Sequence, residues 1–356
     1  MNTICIYHSR DLDGWMSAAI VKKWWISNNK EGTLLDIDVI FIEVDNLLNK
    51  PNDRLLPSIH FLGWDYGDTI PDLSGYDKVI MCDVSFPPET MYDLLYTKSL
   101  IWNDHHKSAI QSIEEYKDGI YNENIHGEFW GLRNTKFAAC ELTWQYFFPD
   151  NPMPEIVRLL GRYDCFGHKG TDEEQKVLEF QYGARQIISN YEEAYSYIIR
   201  TLASYNELEI IQKSGKTIYK YLCTEAKQTY SKAFEIYIGK SNIKVVDVVL
   251  LPNLEKETLM NAKGRYLACK FLCVNQERFN PINFGIDYHK EGYDGFACFW
   301  YKDSKWMWSL YNDNGNIDCS IIAKQYGGGG HKGASGFVCD NETMLNIINN
   351  QYGTNA

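Results

Sequence analysis

His8-Ser9-Arg10-Asp11-Leu12-Asp13-Gly14 is the segment that most strongly indicates the fold. It follows a short apolar run at residues 3–7, which predicts a strand, and it leads into the apolar positions of a predicted helix at residues 14–26. Gly14 permits the tight turn that joins the two elements. A helix start often carries one capping Asp, so a capped helix is the structural alternative, but one His and two Asp exceed what a cap needs.

Two further apolar runs end in polar clusters. Residues 78–84 predict a strand that ends at Asp83, and residues 99–102 predict one that is followed by Asn103-Asp104-His105-His106. Residues 37–44 are β-branched and predict another strand. Strands that alternate with helices favour a parallel sheet with crossover helices, whose strand ends line the ligand crevice. We therefore expect one site to gather His8, Asp11, Asp13, Asp83, Asp104, His105 and His106.

Each polar cluster also has a structural interpretation. Asp83 precedes Pro87-Pro88, where a turn or a helix cap is common, and the residues around His105 could form a solvated loop. Asp164 follows a helical pattern, and an ion pair with Arg162 at the helix end is its structural alternative. The joint presence of these clusters favours a functional site more than any one of them does.

The second half of the chain has a different pattern. Residues 184–238 contain no Pro and predict helices, broken near Gly215, that link two domains. Strands are predicted at residues 243–251, 266–274, 295–301 and 306–311, a helix at residues 317–325, and a loose terminus at residues 352–356. Serial glycines expose backbone N–H groups, so Gly327-Gly328-Gly329-Gly330-His331 predicts an anion-binding loop, with a flexible turn as the alternative.

The fold class predicted from these patterns is α/β. A parallel-sheet domain with crossover helices is expected at residues 1–190, a helical linker at 191–238, and a smaller α/β domain with a mixed sheet at 239–356. A chain of 356 residues is long enough for two domains.

Composition limits the class of protein. The net charge of −12 argues against a protein that coats duplex nucleic acid, but it is compatible with a small nucleotide held through metal ions. Ten cysteines occur without a C-x-x-C pair, which favours buried free thiols in a reducing compartment. The amino terminus lacks the pattern of a signal peptide, and no apolar run is long enough to span a bilayer. We expect a cytoplasmic protein.

The residue types at the strand ends suit a two-metal site. Two divalent ions can bind a phosphoryl oxygen, generate hydroxide and stabilise the leaving oxygen. Carboxylates suit Mn²⁺ and Mg²⁺, and the added imidazoles favour Mn²⁺ over Mg²⁺. We expect two Mn²⁺ ions per site, with Mg²⁺ or Co²⁺ as alternatives.

The order of these motifs resembles the DHH phosphoesterase superfamily, and the resemblance covers most of the chain. The glycine run with Lys332-Gly333-Ala334-Ser335-Gly336-Phe337 is similar to a DHH-associated domain. Arg162-Tyr163-Asp164 and Gly63-Trp64-Asp65-Tyr66-Gly67 are similar to the nanoRNase and oligoribonuclease-like branch, which is related to RecJ exonucleases.

The resemblance implies roles for individual residues. One metal would be held by His8 and Asp11, the second by Asp13, His105 and Asp164, and both by Asp83, with a bridging water as the nucleophile. Asp104 would orient a ligand His, and His106 would face the substrate phosphate. The residues that the resemblance assigns to substrate binding are Gly328, Gly329, Gly330, His331, Tyr311 and Arg162.

The implied activity is a metal-dependent phosphodiesterase acting on short oligoribonucleotides or small nucleotides. Many relatives carry an Arg in a Ser-Leu-Arg sequence where this chain has Ser309-Leu310-Tyr311, and Tyr cannot reproduce a bidentate Arg contact. The alternatives are a pAp phosphatase, a cyclic-nucleotide or cyclic-dinucleotide phosphodiesterase, a polyphosphatase, and a nucleotide-binding sensor without activity. Neither a membrane nor long duplex nucleic acid is expected as a partner. The oligomeric state is left open, with a homodimer among the alternatives.

Overall fold

The computed structural model describes residues 2–29, 59–119, 128–204, 206–239, 269–330 and 332–349. The strands predicted at residues 37–44 and 243–251, the terminus at 352–356, and His331 lie outside the described residues. The chain divides into two compact units, Met1–Tyr219 and Lys220–Ala356. The division falls within the region predicted as a helical linker.

A four-stranded parallel sheet forms the centre of the first unit, in the order β2-β1-β3-β4. Its strands are β1 (Thr3–His8), β2 (Ile59–Trp64), β3 (Lys78–Cys82) and β4 (Ser99–Asn103). In the register, His8 lies beside Trp64, Tyr7 beside Cys82, and Cys82 beside Asn103. All four strands therefore end at one edge of the sheet, and the predicted parallel α/β architecture is confirmed.

Helices cover both faces of this sheet. They are α1 (Leu12–Asn29), α2 (Pro88–Thr97), α3 (Lys107–Gly119), α4 (Ala139–Phe147), α5 (Glu155–Asp164), α6 (Glu174–Ala184) and α7 (Tyr191–Ala203), followed by α8 (Asn206–Tyr230). Alternate residues of β1 enter different cores, Ile4 and Ile6 on one face and Cys5 and Tyr7 on the other. Helix α1 is buried between the sheet and the helices α4 and α7, which explains why its own apolar residues are distributed around the whole helix.

Two details of the region predicted as helical linker were wrong. Helix α8 runs unbroken through Gly215. A Cβ at this position would lie 1.8 Å from the backbone oxygen of Glu179, which explains why the residue is glycine. Gly215 therefore allows α6 and α8 to approach closely and does not end a helix. Residues 234–238, predicted as helix, form the strand β5 (Phe234–Ile238), in which Ile236 and Ile238 are buried at the period-two spacing of a strand.

The second unit contains a mixed six-stranded sheet in the order β5-β6-β7-β8-β10-β9. Its other strands are β6 (Cys269–Asn275), β7 (Gly295–Lys302), β8 (Lys305–Tyr311), β9 (Gly329–Gly330) and β10 (Ala334–Cys339). Strands β6 and β7 are parallel, and the other neighbours are antiparallel. Two helices, α9 (Cys319–Lys324) and α10 (Asn341–Asn349), pack on it. The predicted smaller α/β unit with a mixed sheet is confirmed.

None of the helices in the described ranges combines the length and the apolar character needed to cross a membrane.

Candidate metal centre

The common edge of the parallel sheet gathers the acidic and histidine side chains. His8 is the last residue of β1, Asp83 follows β3, and Asp104 follows β4. Asp65 follows β2 in the same way. Because the four strands are parallel and in register, residues that are distant in sequence meet here.

The first ligand group contains His8, Asp11 and Asp83, whose donor atoms lie within 4.8 Å of one another. His8 Nδ1 lies 2.8 Å from Asp11 Oδ2 and 3.4 Å from Asp83 Oδ2. Asp11 also accepts a hydrogen bond from the backbone N–H of Gly14 at 3.0 Å, so the turn into α1 fixes its carboxylate. A Cβ on Gly14 would lie 2.0 Å from the backbone oxygen of His8, which explains the glycine at this turn.

The second ligand group contains Asp13, His105 and Asp164. His105 Nε2 lies 3.2 Å from Asp164 Oδ2 and 3.6 Å from Asp13 Oδ2. It also lies 3.3 Å from Asp83 Oδ1. Asp83 thus directs Oδ2 toward His8 in the first group and Oδ1 toward His105 in the second.

Asp83 adopts an unusual backbone conformation. Its φ of +64° lies in the left-handed region, which Asp tolerates better than most side chains because it can form local hydrogen bonds. Its backbone N–H donates to the backbone oxygen of Asn103 at 2.9 Å, so β4 holds the turn in place. A buried acidic residue in this conformation is typical of a functional position, where surrounding structure maintains the strain.

Asp13 is held by the start of helix α4. Its Oδ2 accepts from the backbone N–H of Ala139 at 2.9 Å, and its Oδ1 accepts from that of Cys140 at 2.8 Å. A helix N-terminus stabilises a carboxylate, and here it fixes the orientation of a side chain that is only 2% exposed.

Asp104 is buried and orients its neighbours. Its Oδ1 accepts from the backbone N–H groups of His105 and His106 at 2.7 and 3.0 Å, and from His106 Nδ1 at 2.8 Å. Its Oδ2 accepts from Trp102 Nε1 at 3.1 Å. Both oxygens are therefore occupied, and the histidine side chain that Asp104 orients is that of His106. His106 Nδ1 also lies 3.7 Å from Asp83 Oδ1, and Asp83, His105 and His106 form a third possible ligand group.

Burial and mutual repulsion shift the pKa values of the carboxyl groups. Burial, followed by the charge of Asp83, raises the pKa of Asp13 to about 7. Burial, followed by the charge of Asp13, raises the pKa of Asp164 to about 7. Burial also raises the pKa of Asp83, against the opposing effect of the nearby imidazoles of His105 and His8. A bound cation would stabilise these buried carboxylates in their ionised form.

The pKa values of the histidines are also raised, and here the neighbouring carboxylates are the cause. Burial lowers the pKa of His8, but the adjacent carboxylates of Asp11 and Asp83 outweigh it and raise that pKa to about 11. The same balance, with Asp83 as the main partner, raises the pKa of His105 to about 10. Beside Asp104, the pKa of His106 rises to about 9 despite its burial. The carboxylates therefore draw positive charge into this site.

The donor atoms fit divalent metal ions. His8 Nδ1, His105 Nε2 and Asp83 Oδ1 are buried polar atoms without a hydrogen-bond partner of good geometry among the described residues. Buried polar atoms are normally paired, and metal coordination would satisfy all three. Carboxylate oxygens mixed with imidazole nitrogens suit Mn²⁺, Co²⁺ or Zn²⁺, and Mg²⁺ through the carboxylates.

Arg162, predicted to bind substrate, pairs with a buried carboxylate. Its guanidinium makes a two-point ion pair with Glu141, in which Nε lies 2.9 Å from Oε1 and Nη2 contacts Oε2. Nη2 also donates to the backbone oxygen of Lys136 at 3.1 Å. Glu141 is only 2% exposed, so the geometry assigns Arg162 to the neutralisation of a buried carboxylate.

The glycine run and Tyr311 lie in the second unit. Gly329 and Gly330 form β9 and pair with Gly336 and Ser335 of β10, so part of the predicted loop is a short strand. A Cβ on Gly328 would lie 2.1 Å from the backbone oxygen of Gly336, which gives this glycine a packing role. Tyr311 ends β8 and is half-buried.

Three residues near the centre, Arg10, Asp65 and Tyr66, were not predicted as site residues. Asp65 Oδ1 lies 3.3 Å from His8 Nε2, and Asp65 Oδ2 accepts from Arg10 Nε at 2.7 Å. The Tyr66 ring meets the His106 ring edge-on, with centroids 6.2 Å apart. The apolar run before Asp65 is followed by an acidic residue, which is the same signal that predicts Asp83 as a site residue.

Comparison with known proteins places these features in context. No protein-family model matches the chain. An uncharacterized protein of Acanthamoeba polyphaga mimivirus, R106, is 24% identical over 340 residues, which cover 94% of this chain and 67% of that protein. In the order of its site residues, the chain resembles the DHH phosphoesterase superfamily.

Three solved structures are similar to the chain over 98% of its length. They are the pGpG-specific phosphodiesterase PggH from Vibrio cholerae (13% identity, 97% of that chain, TM-score 0.47), an exopolyphosphatase-related protein from Bacteroides fragilis (12%, 90%, 0.42), and RecJ with Mn²⁺ from Thermus thermophilus (12%, 51%, 0.39).

Proposed function

We propose that this chain is a DHH-superfamily phosphodiesterase that uses two divalent ions, Mn²⁺ foremost, to hydrolyse short oligoribonucleotides or small nucleotides. The observation that supports it is the position of Asp83, whose two carboxylate oxygens face two different ligand groups. A shared carboxylate between two sets of His and Asp ligands is what a pair of neighbouring ions requires.

The first ion would be held by His8 and Asp11, the second by Asp13, His105 and Asp164, and both by Asp83. Two ions bound here would supply a nucleophile at neutral pH and stabilise charge on the phosphoryl oxygens. The helix start at Ala139 holds Asp13 in place.

His106 is the side chain proposed to act on the leaving group. Asp104 accepts from His106 Nδ1 and thereby fixes the ring. This leaves His106 Nε2 to donate a proton to the leaving oxygen, since Nδ1 is already engaged. Asp104 is a positioning residue in this scheme, because both its oxygens are bonded within the protein.

The glycine run, His331 and Tyr311 are proposed as further substrate-binding residues. Serial glycines expose backbone N–H groups that can receive anionic oxygens, and a tyrosine ring can stack on a base.

The test is hydrolysis by purified protein with Mn²⁺ and a panel of substrates: a diribonucleotide, a five-residue RNA, pGpG, pAp, cyclic dinucleotides and polyphosphate. Products are identified by chromatography. The proposal predicts turnover of the linear RNA substrates, loss of turnover with a chelator, and recovery with added Mn²⁺. Turnover of pAp alone would indicate a phosphomonoesterase, and turnover of polyphosphate alone a polyphosphatase. Nucleotide binding without turnover of any substrate would indicate a sensor.

A further inference from the structure

Arg10 is an exposed cation placed within the metal-binding turn. It lies between His8 and Asp11, two proposed ligands of the first ion, and its side chain is 68% exposed. Its Nε donates to Asp65 Oδ2 at 2.7 Å. Within the part of the chain that the structure describes, its two Nη nitrogens have no hydrogen-bond partner. The guanidinium is thus fixed at one edge and open at the other.

Asp65 connects this guanidinium to the metal centre. One of its oxygens accepts from Arg10, and the other lies 3.3 Å from His8 Nε2, while His8 Nδ1 faces Asp11 and Asp83. Asp65 Oδ1 also accepts from the backbone N–H of Tyr66 at 2.8 Å, and Oδ2 of Asp68 accepts from the N–H of Asp65 at 3.0 Å. The carboxylate is therefore held in position by its own turn. A carboxylate on the far nitrogen of a metal-binding imidazole is a common way to orient the ligand.

We propose that Arg10 binds a second phosphate group of the substrate, separate from the phosphate that is hydrolysed, and that Asp65 positions the Arg10 side chain. This inference rests on the proposed function, and it narrows the substrate class to nucleotides that carry a terminal phosphate in addition to the scissile phosphodiester. Arg10 is a specificity-determining residue here, and Asp65 is a positioning residue for both Arg10 and His8.

The chemistry of Arg10 fits this role. The ions of the centre would be occupied by the scissile phosphate, so a further phosphate needs a cation of its own in surroundings that are otherwise acidic. A guanidinium presents its N–H groups in a planar fork that matches two phosphate oxygens, and an anchored Nε directs the Nη groups outward. Because Asp65 has already fixed the side chain, less rotamer entropy is lost on binding than for a free surface Arg.

The experiment compares a 5′-phosphorylated diribonucleotide with the same diribonucleotide ending in a 5′-hydroxyl. For Arg10→Gln, the ratio of kcat/KM for the phosphorylated over the unphosphorylated substrate should fall about tenfold to a hundredfold, mainly through KM. That range follows from the usual contribution of a charge-assisted hydrogen bond. Arg10→Lys keeps the charge without the fork and should give an intermediate ratio. Bound Mn²⁺ per chain, measured by atomic emission, should equal that of wild type.

Arg200→Gln is the matched control, because Arg200 is also exposed and paired with one acidic residue, Glu207, on the helices α7 and α8. It should leave the ratio at the wild-type value. An equal loss of activity on both substrates in Arg10→Gln, with normal metal content, would overturn the inference while the proposed function stands. Absence of turnover of either substrate by wild type would instead remove the proposed function.

Discussion

Replacing Asp83 with Asn tests whether one carboxylate serves two ions. Asn has nearly the same shape and is one of the few residues that tolerate a left-handed backbone, so the turn at φ +64° should be retained. The change removes a buried negative charge whose pKa burial has already raised. Without metal, the variant should therefore be at least as stable as wild type.

The magnitude of the metal effect follows from the sharing of Asp83. An ion that binds only the folded state stabilises it by about 2.7 kcal/mol at about 100 times its Kd, so two ions contribute about 5 kcal/mol. For a unit of this size, each kcal/mol raises Tm by about 2–4 °C, which predicts a rise of about 10–20 °C for wild type. Asp11→Asn and Asp164→Asn each affect one ligand group and should keep about half of that rise. Asp83→Asn weakens both ligand groups and should keep the smallest part of the metal-induced rise in Tm.

The assay is thermal unfolding followed by intrinsic fluorescence, with chelator and with saturating Mn²⁺. Asp150→Asn is the control, because Asp150 is an exposed acidic residue outside the ligand groups, and its metal-induced rise should equal that of wild type. If Asp83→Asn keeps the full rise in Tm, or loses no more of it than Asp11→Asn does, Asp83 does not serve two ions.

Three further predictions concern activity, packing and pH. His105→Ala should abolish hydrolysis while leaving the circular dichroism spectrum unchanged, and near-normal activity would contradict its role as a ligand. Gly215→Ala should lower the free energy of unfolding by about 1–2 kcal/mol. The steric clash of a Cβ 1.8 Å from the Glu179 oxygen costs more than the gain of about 1 kcal/mol in helix propensity. A variant that is more stable than wild type in urea titration would exclude this contact. Hydrogen bonds from Arg158 lower the pKa of Glu155 to about 2, so the stability that this pair contributes is present above about pH 4.5 and is lost as pH falls toward 2. The difference in unfolding free energy between wild type and Glu155→Gln should accordingly shrink from about pH 6 to about pH 3, and a constant difference in urea titrations would argue against it.

The parallel sheet and its polar edge could be predicted because their signals are local. Three apolar runs of strand length have Asp or His at or just beyond their carboxyl ends, at residues 3–7, 78–84 and 99–102. Parallel strands share a carboxyl edge, so the sheet brings those ends together. The register of β1, β3 and β4 confirms this expectation. The direction of each Asp83 oxygen could not be predicted, since it depends on a left-handed turn that the sequence does not mark.

Other features depend on contacts between residues distant in sequence. The ion pair of Arg162 with Glu141 spans 21 residues, and nothing in the residues next to Arg162 indicates that partner. Gly215 has the pattern of a helix breaker in the sequence, yet its role is set by the backbone of α6, which passes against it. The strand at residues 234–238 follows a long helical pattern and acquires its conformation by pairing with β6.

The most direct test of a two-metal centre bridged by Asp83 is a crystal structure of the protein grown with Mn²⁺, with data collected at a wavelength where manganese scatters anomalously. We expect two anomalous peaks about 3.5–4 Å apart, with one Asp83 oxygen directed at each. His8 and Asp11 should lie at the first peak, and Asp13, His105 and Asp164 at the second. A single peak, or two peaks that Asp83 does not bridge, would contradict it.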